Sequence, residues 1–301
     1  MTALPLSRTA LASLADLAGS LAREAGGVVH RLREEGVEIA DTKSSLADVV
    51  TAADRESERM LAAALREARP DDGLLGEEGA SRESSSGITW VIDPIDGTVN
   101  YLYGLPAYGV SIAATVAADR DANDDSVQGS GRGSAPASSA MADGRRAIAG
   151  AVYVPATGEL FTARAGGGAF LNGRPIKVSQ QDELQLSLVA TGFGYTVERR
   201  TEQAEVVRRL IPRVRDIRRM GAASVDLCYL AAGRLDAYYE RGLQPWDYAA
   251  GALIAREAGA AILALDDDSL PGEPMLIAAA PSLARELQEA LREAYAALPA
   301  G

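Results

Sequence analysis

The sequence predicts an α/β protein, with an α+β first half over residues 1–150 and an α/β second half over residues 151–301. Three observations predict it. Apolar residues recur at helical spacing over 8–35. Short apolar runs bounded by Gly, Pro and Ser then crowd the middle of the chain, as strands joined by tight turns would. From Leu186 onward, strand-like runs alternate with helical ones, the pattern of strands joined by crossover helices.

The elements follow in order. Residues 8–35 read as an amphipathic helix; Asp16 and Arg23 interrupt its apolar face too often for a signal peptide. "DVVTAAD" reads as a short strand or turn entering a helix that Asp54 caps and Pro70 ends. "GLLGEEGA" is a short strand ending in Glu77-Glu78, and a Ser-rich turn at 84–87 precedes the strand "WVIDPID". "YGVSIAATVAA" is the next strand. Residues 118–146 are rich in Asp, Ser, Gly and Ala with hardly a large apolar side chain, so they read as a mobile surface insertion. Its "DANDD" lacks the spacing and the distant Glu of a calcium loop. "AIAGAVYVP" and "ELFTARAGGGAFLNGRPIKVS" resume the strands, with hairpin turns at the glycines 166–168 and at "LNGR". Helices are expected at 201–213, 222–232, 247–258 and 282–297.

Bulk properties exclude several classes. The net charge of −12 argues against a nucleic-acid or anionic-membrane partner. No apolar stretch reaches the roughly 18 residues of a membrane span. One cysteine, Cys228, permits no intrachain disulfide and fits a reducing cytoplasm. One histidine, His30, lies in a helical context and rules out multi-histidine zinc sites. The chemistry therefore falls to carboxylates, hydroxyls and backbone.

The acids at expected strand ends and helix starts are Asp48, Asp54, Glu77, Glu78, Asp93, Asp96 and Asp247. Each alone reads as a cap, a turn or a solvated loop. Together they change the reading, because clustered carboxylates repel unless cations neutralise them. An all-oxygen set suits Mg²⁺ or Mn²⁺. Gly97-Thr98 would open a helix whose free amides can hold a phosphate oxygen. Metal-binding acids beside phosphate-binding amides describe metal-assisted hydrolysis of a phosphate ester.

"GEEG", "WVIDPIDGTVN" and "WDYAAG" resemble, in order and spacing, the signature segments of the inositol monophosphatase family. "KSSLADVVTAADRESE", "GGGAFLNGRPIKVS" and "RRMGAASVDLCYLAAGRLDAYYE" resemble further segments, so the likeness runs from Lys43 to Gly259 around the 118–146 insertion. The resemblance implies an αβαβα sandwich of the inositol monophosphatase/fructose-1,6-bisphosphatase type, two or three magnesium ions, lithium sensitivity and a homodimer. Glu77, Asp93 and the Ile95 carbonyl would hold one ion; Asp93, Asp96 and Asp247 would hold a second; Glu77 would help hold a third through water. Asp48 and Thr98 would orient the attacking water, with Lys43, Asp54 and Glu78 behind them. Gly97 and Thr98 would hold phosphate, with Ala223 and Glu240 facing the polyol. Two departures stand out. Ala222 occupies a position where a small hydroxyl residue is usual, with a serine displaced to Ser224, and the insertion is atypical.

Rival readings are weighed against this one. Cys228 and Arg234 have Cys-x5-Arg phosphatase spacing, but the residues between continue a helical pattern rather than a loop of convergent amides. "DPIDGT" misses the aspartyl-phosphate motif by one residue. Within the superfamily the substrate is expected to be inositol-1-phosphate or a similar polyol phosphate. The alternatives are fructose bisphosphate, histidinol phosphate, adenosine bisphosphate, or a non-catalytic scaffold role in RNA machinery.

Overall fold

The computed structural model describes residues 6–37, 39–42, 49–118, 140–272 and 274–298. Helices α1 (Arg8–Glu35) and α2 (Ala52–Ala68) form the first layer. The second is an eight-stranded sheet of β3 (Gly73–Gly76), β4 (Ser81–Arg82), β5 (Ile88–Asp96), β6 (Gly109–Ala117), β7 (Arg145–Val154), β8 (Glu159–Arg164), β9 (Ala169–Leu171) and β10 (Arg174–Ile176), in the order 10-9-8-7-6-5-3-4. α5 (Ala223–Ala231) and α6 (Pro245–Glu257) make the middle layer. The fourth is a five-stranded sheet of β11 (Leu188–Thr191), β12 (Asp216–Arg218), β13 (Ala237–Arg241), β14 (Ala261–Leu263) and β15 (Met275–Ala279), in the order 12-11-13-15-14. α4 (Val197–Leu210) and α7 (Pro281–Ala296) close the fifth. β1 (Ile39–Thr42) and β2 (Val49–Thr51) pair separately, and α3 (Thr98–Tyr103) follows β5 directly.

The expected αβαβα sandwich is thus present, and three cores fill the spaces between its layers, one of them shared by both faces of the middle helices. Leu21, Leu61, Trp90 and Ile112 fill the space between the first two layers. Val152, Phe161, Leu227, Ile254 and Leu276 pack around the middle helices. Val206, Ile277, Leu283 and Leu287 join the last sheet to α4 and α7. β5 is buried along its whole length, as a strand covered on both faces must be, which explains its continuous apolar run. The eight-stranded sheet runs on past residue 150 to Ile176, and β7 itself spans that position.

Three expectations change in detail. Thr51, not Asp54, is the N-cap of α2; Asp54 sits three residues on and returns the bond to the Thr51 amide at 2.8 Å, a capping box. The fourth helix begins at Val197, capped by Thr196, rather than at 201. The 118–146 insertion ends earlier than its composition suggested. Ala140 and Met141 are buried, the Ala142 amide bonds Pro271 O at 2.9 Å, and Arg145-Arg146 already belong to β7. Met141 packs there into the core around the middle helices. Residues 119–139 lie outside the described residues.

Candidate active site

β3 and β5 run parallel with Gly76 opposite Ile92, so the residues that follow, Glu77 just past the end of β3 and Asp93 within β5, lie side by side. The Glu77 amide bonds Ile92 O at 3.3 Å, and its carboxyl lies against that of Asp93. The turn carrying Glu77 is held from α2. Buried Glu58 accepts the amides of Glu78 and Ala80, each at 2.8 Å. Gly76 is required there, because a Cβ would stand 2.3 Å from Glu58 Oε2.

Along β5, residues three apart should face opposite ways. Asp93 pairs with Ser111 and Asp96 with Gly109, so three residues on β5 stand against two on β6. This bulge, with Pro94 inside it, removes the alternation and lets both aspartates serve one site. Asp93 accepts the Ile95 amide at 3.0 Å. Ser111, opposite Asp93, bonds Trp246 O at 3.3 Å and ties the start of α6 to the same place. Asp247 lies in that first turn and accepts the Gln244 amide at 2.7 Å.

Electrostatics confirm the gathering. Burial and then the charges of Glu77, Asp96 and Asp247 push Asp93 well above the usual carboxylate range. Burial, Glu77 and Asp96 raise Asp247 in the same way. Burial lifts Asp96 to about 6, against the hydrogen bonds from Ser224. Even so, among the described residues no three His, Cys, Asp or Glu side chains are close enough, as placed, to chelate an ion. Asp93, Asp96 and Asp247 each have an oxygen committed to a backbone donor.

Gly97 is left-handed at φ 87° and caps α3, bringing Thr98 under Asp54. The Thr98 hydroxyl lies 3.2 Å from Asp54 Oδ1 and 3.0 Å from the Ile95 carbonyl. Asp54 is fully buried and lifted to about 6, chiefly by burial. Asp48 and Lys43 fall outside the described residues. Glu78 stands beside Glu77 in the turn.

Glu240 is the penultimate residue of β13, in the other sheet. Tyr238 donates to its Oε2 at 2.7 Å, and burial carries it to about 7 against the pull of Tyr238 and Arg219. Parallel pairing of Thr191 with Tyr239 puts Gly192 beside Glu240, with no room there for a Cβ. Ala223 is buried, and its amide reaches Asp96 Oδ1 at 3.2 Å. Ala222 supplies only a methyl, against which a Cβ on Gly97 would press at 3.0 Å.

Sequence reasoning missed Glu58, Ser111, Tyr238 and Asp226. Glu58 carried a signal, since it lies one turn after Asp54 on the same helical face. Asp226 is 1% exposed, with no hydrogen-bond partner for either carboxylate oxygen. Burial, Glu240 and Asp96 hold it well above its ordinary value. Cys228 is buried in α5 with its thiol pushed far up, and Arg234 is paired with Glu159, so the thiolate rival has neither nucleophile nor loop.

Comparison with known proteins identifies the family. The profile of the inositol monophosphatase family matches residues 10–120 and 138–298, skipping part of the insertion. The inositol-1-monophosphatase of Mycobacterium bovis is 42% identical over 299 residues, covering 93% of this chain and 94% of that protein. Nus factor SuhB of Pasteurella multocida is 37% identical, covering 88% and 91%. The solved structure of Mycobacterium tuberculosis SuhB superimposes with a TM-score of 0.72 at 41% identity, over 94% of this chain and 97% of that one. A profile that spans nearly the whole chain leads to one conclusion: the chain belongs to the inositol monophosphatase family.

Proposed function

We propose that the chain is a magnesium-dependent phosphomonoesterase acting on inositol-1-phosphate or a similar polyol phosphate. One observation carries the reading: Glu77, Asp93, Asp96 and Asp247, from three separate segments, are gathered closely enough that the charge of Glu77 raises the proton affinity of all three aspartates. The donor set fits a hard divalent cation, since all four are carboxylates whose charge a cation would relieve. Glu77, Asp93 and the Ile95 carbonyl would hold one Mg²⁺, and Asp93, Asp96 and Asp247 a second; Glu77 would reach a third through water. Mn²⁺ would substitute, and lithium would inhibit. Bound metal supplies Lewis acidity toward the phosphate ester.

The chain's own residues do the rest. Asp54 keeps the Thr98 hydroxyl in place, and Thr98, with Asp48, orients the attacking water. The amides of Gly97 and Thr98 meet the phosphate. Glu240 accepts hydrogen bonds from the hydroxyls of the leaving alcohol beside Ala223. The test is phosphate release after exhaustive dialysis against EDTA. Activity should vanish and return with Mg²⁺; full activity without metal overturns the reading. Glu240→Ala should lower kcat/KM for inositol-1-phosphate by about 1.5–3 kcal/mol, the size of a hydrogen bond to a charged group, and leave an aryl phosphate nearly untouched. Equal losses on both would place Glu240 with the metal ligands instead.

A second reading rests on the relatives named Nus factor SuhB. It is a non-catalytic role in RNA machinery, as a cytoplasmic scaffold. Retention of every carboxylate favours catalysis, and a chain inert toward all four superfamily substrates with Mg²⁺ would favour the scaffold.

A further inference from the structure

At the start of α5 this chain departs from the pattern it otherwise resembles, and the structure shows what the departure does. Ala222 leaves the usual hydroxyl position filled by a methyl, while Ser224, fully buried, turns its hydroxyl elsewhere. Asp96 Oδ2 accepts the Ser224 hydroxyl at 2.5 Å and the Ser224 amide at 2.7 Å, and Oδ1 accepts the Ala223 amide at 3.2 Å.

A carboxylate offers about four acceptor positions. Three donors therefore leave Asp96 one, on Oδ1. The two amides are fixed by the turn into α5 and cannot be lost without unwinding it. The hydroxyl is the only donor of the three carried by a side chain. It lies out of reach of water, so nothing replaces it if it is removed.

We propose that Ser224 is a positioning residue for metal binding: it locks the Asp96 carboxylate so that one oxygen is presented to a divalent cation. The inference rests on the reading of Asp96 as a metal ligand. Without the hydroxyl, Oδ2 regains a free lone pair and the carboxylate is free to turn. Glu77 repels it in the absence of a cation, so the turn is away from the other ligands. A cation must then reverse that rotation before Asp96 can bind it, which weakens affinity. Partners that orient a ligating group in this way typically contribute about 10–100-fold to metal affinity.

The experiment is a titration with Mn²⁺, read both from the resonance signal of free Mn²⁺ and from the rise in thermal midpoint. Ser224→Ala should bind Mn²⁺ about tenfold more weakly than wild type and show a smaller midpoint rise at the same Mn²⁺. KM at saturating metal should stay unchanged. Ser224→Thr, which keeps the hydroxyl, should bind within about threefold of wild type, since the same donor survives. If wild type binds Mn²⁺ and folded Ser224→Ala binds it equally well or more tightly, this inference is wrong while the metal reading stands. If wild type binds no Mn²⁺, the metal reading fails and takes the inference with it.

Discussion

At the scale of single residues, the site is organised by where carboxylates find donors and where they do not. Asp54, Asp96 and Asp247 each accept backbone or hydroxyl protons. Asp226 accepts none, although it is as buried as any of them. A buried carboxylate without a partner costs about 1–3 kcal/mol or more when ionised. Its proton affinity in the fold exceeds its ordinary value of 3.8. The folded state therefore keeps a proton that the unfolded state loses, and the stability penalty grows as pH rises above about 4. Asp226→Asn removes the ionisation. It should raise the thermal midpoint at pH 8 by about 3 °C or more, on the usual few degrees per kcal/mol for a chain this size, and by less at pH 5. A lower midpoint at pH 8 would mean that Asp226 has a stabilising partner, such as Arg219 or trapped water.

At the scale of elements, most of the fold was legible because periodicity survives burial. α1 matches the expected 8–35 from end to end, since its apolar stripe faces the sheet and its polar face does not. β5 was legible as an apolar run, but its decisive feature was not. The bulge at Asp93–Asp96 follows from pairing with β6, a strand whose register no local pattern reveals. The four candidate metal ligands, Glu77, Asp93, Asp96 and Asp247, were legible from their places at strand ends and helix starts. The groups that aim them, Glu58, Ser111 and Ser224, read as ordinary polar residues until distant segments meet. The insertion was judged by composition over its full length, which hid Met141 at its end. That error suggests a two-part test. Replacing 119–139 by a short Gly-Ser turn should leave midpoint and kcat close to wild type, because loop length costs little and those residues offer little apolar surface. Replacing 119–146 should lower the midpoint clearly, since it also removes buried Met141 and the first two residues of β7. Equal behaviour of the two variants would show that the 140–146 anchor contributes nothing.

At the scale of the whole molecule, the site sits on the seam between the two sheets. β3 and β5 deliver Glu77, Asp93 and Asp96 from one side. β13 delivers Glu240 from the other, and α5 and α6 enter between them with Ser224 and Asp247. Three layers thus bring their acids to one place, so the proposed metal binding would be coupled to folding stability. Asp54 and Asp96 rise from 3.8 to about 6 and Glu240 from 4.5 to about 7, while Asp93 and Asp247 are raised further in the same direction. Between pH 4 and 7 the metal-free native state therefore binds more protons than the unfolded chain, so its stability falls as pH rises through that window. The lowered acids, Asp72, Glu159, Asp216 and Asp267, act in the opposite sense, but only below their ordinary values near 4, so they do not mask the trend. A divalent cation binds the deprotonated carboxylates and must displace protons to do so at low pH. Thermal melts at pH 6 and pH 8, with EDTA and with Mg²⁺, separate the two effects. With EDTA the midpoint should be lower at pH 8 than at pH 6. Mg²⁺ should raise it at both, and by more at pH 8, where fewer protons need be displaced. A Mg²⁺-induced rise that is equal at the two pH values, or larger at pH 6, would show that these carboxylates are not the groups the cation binds.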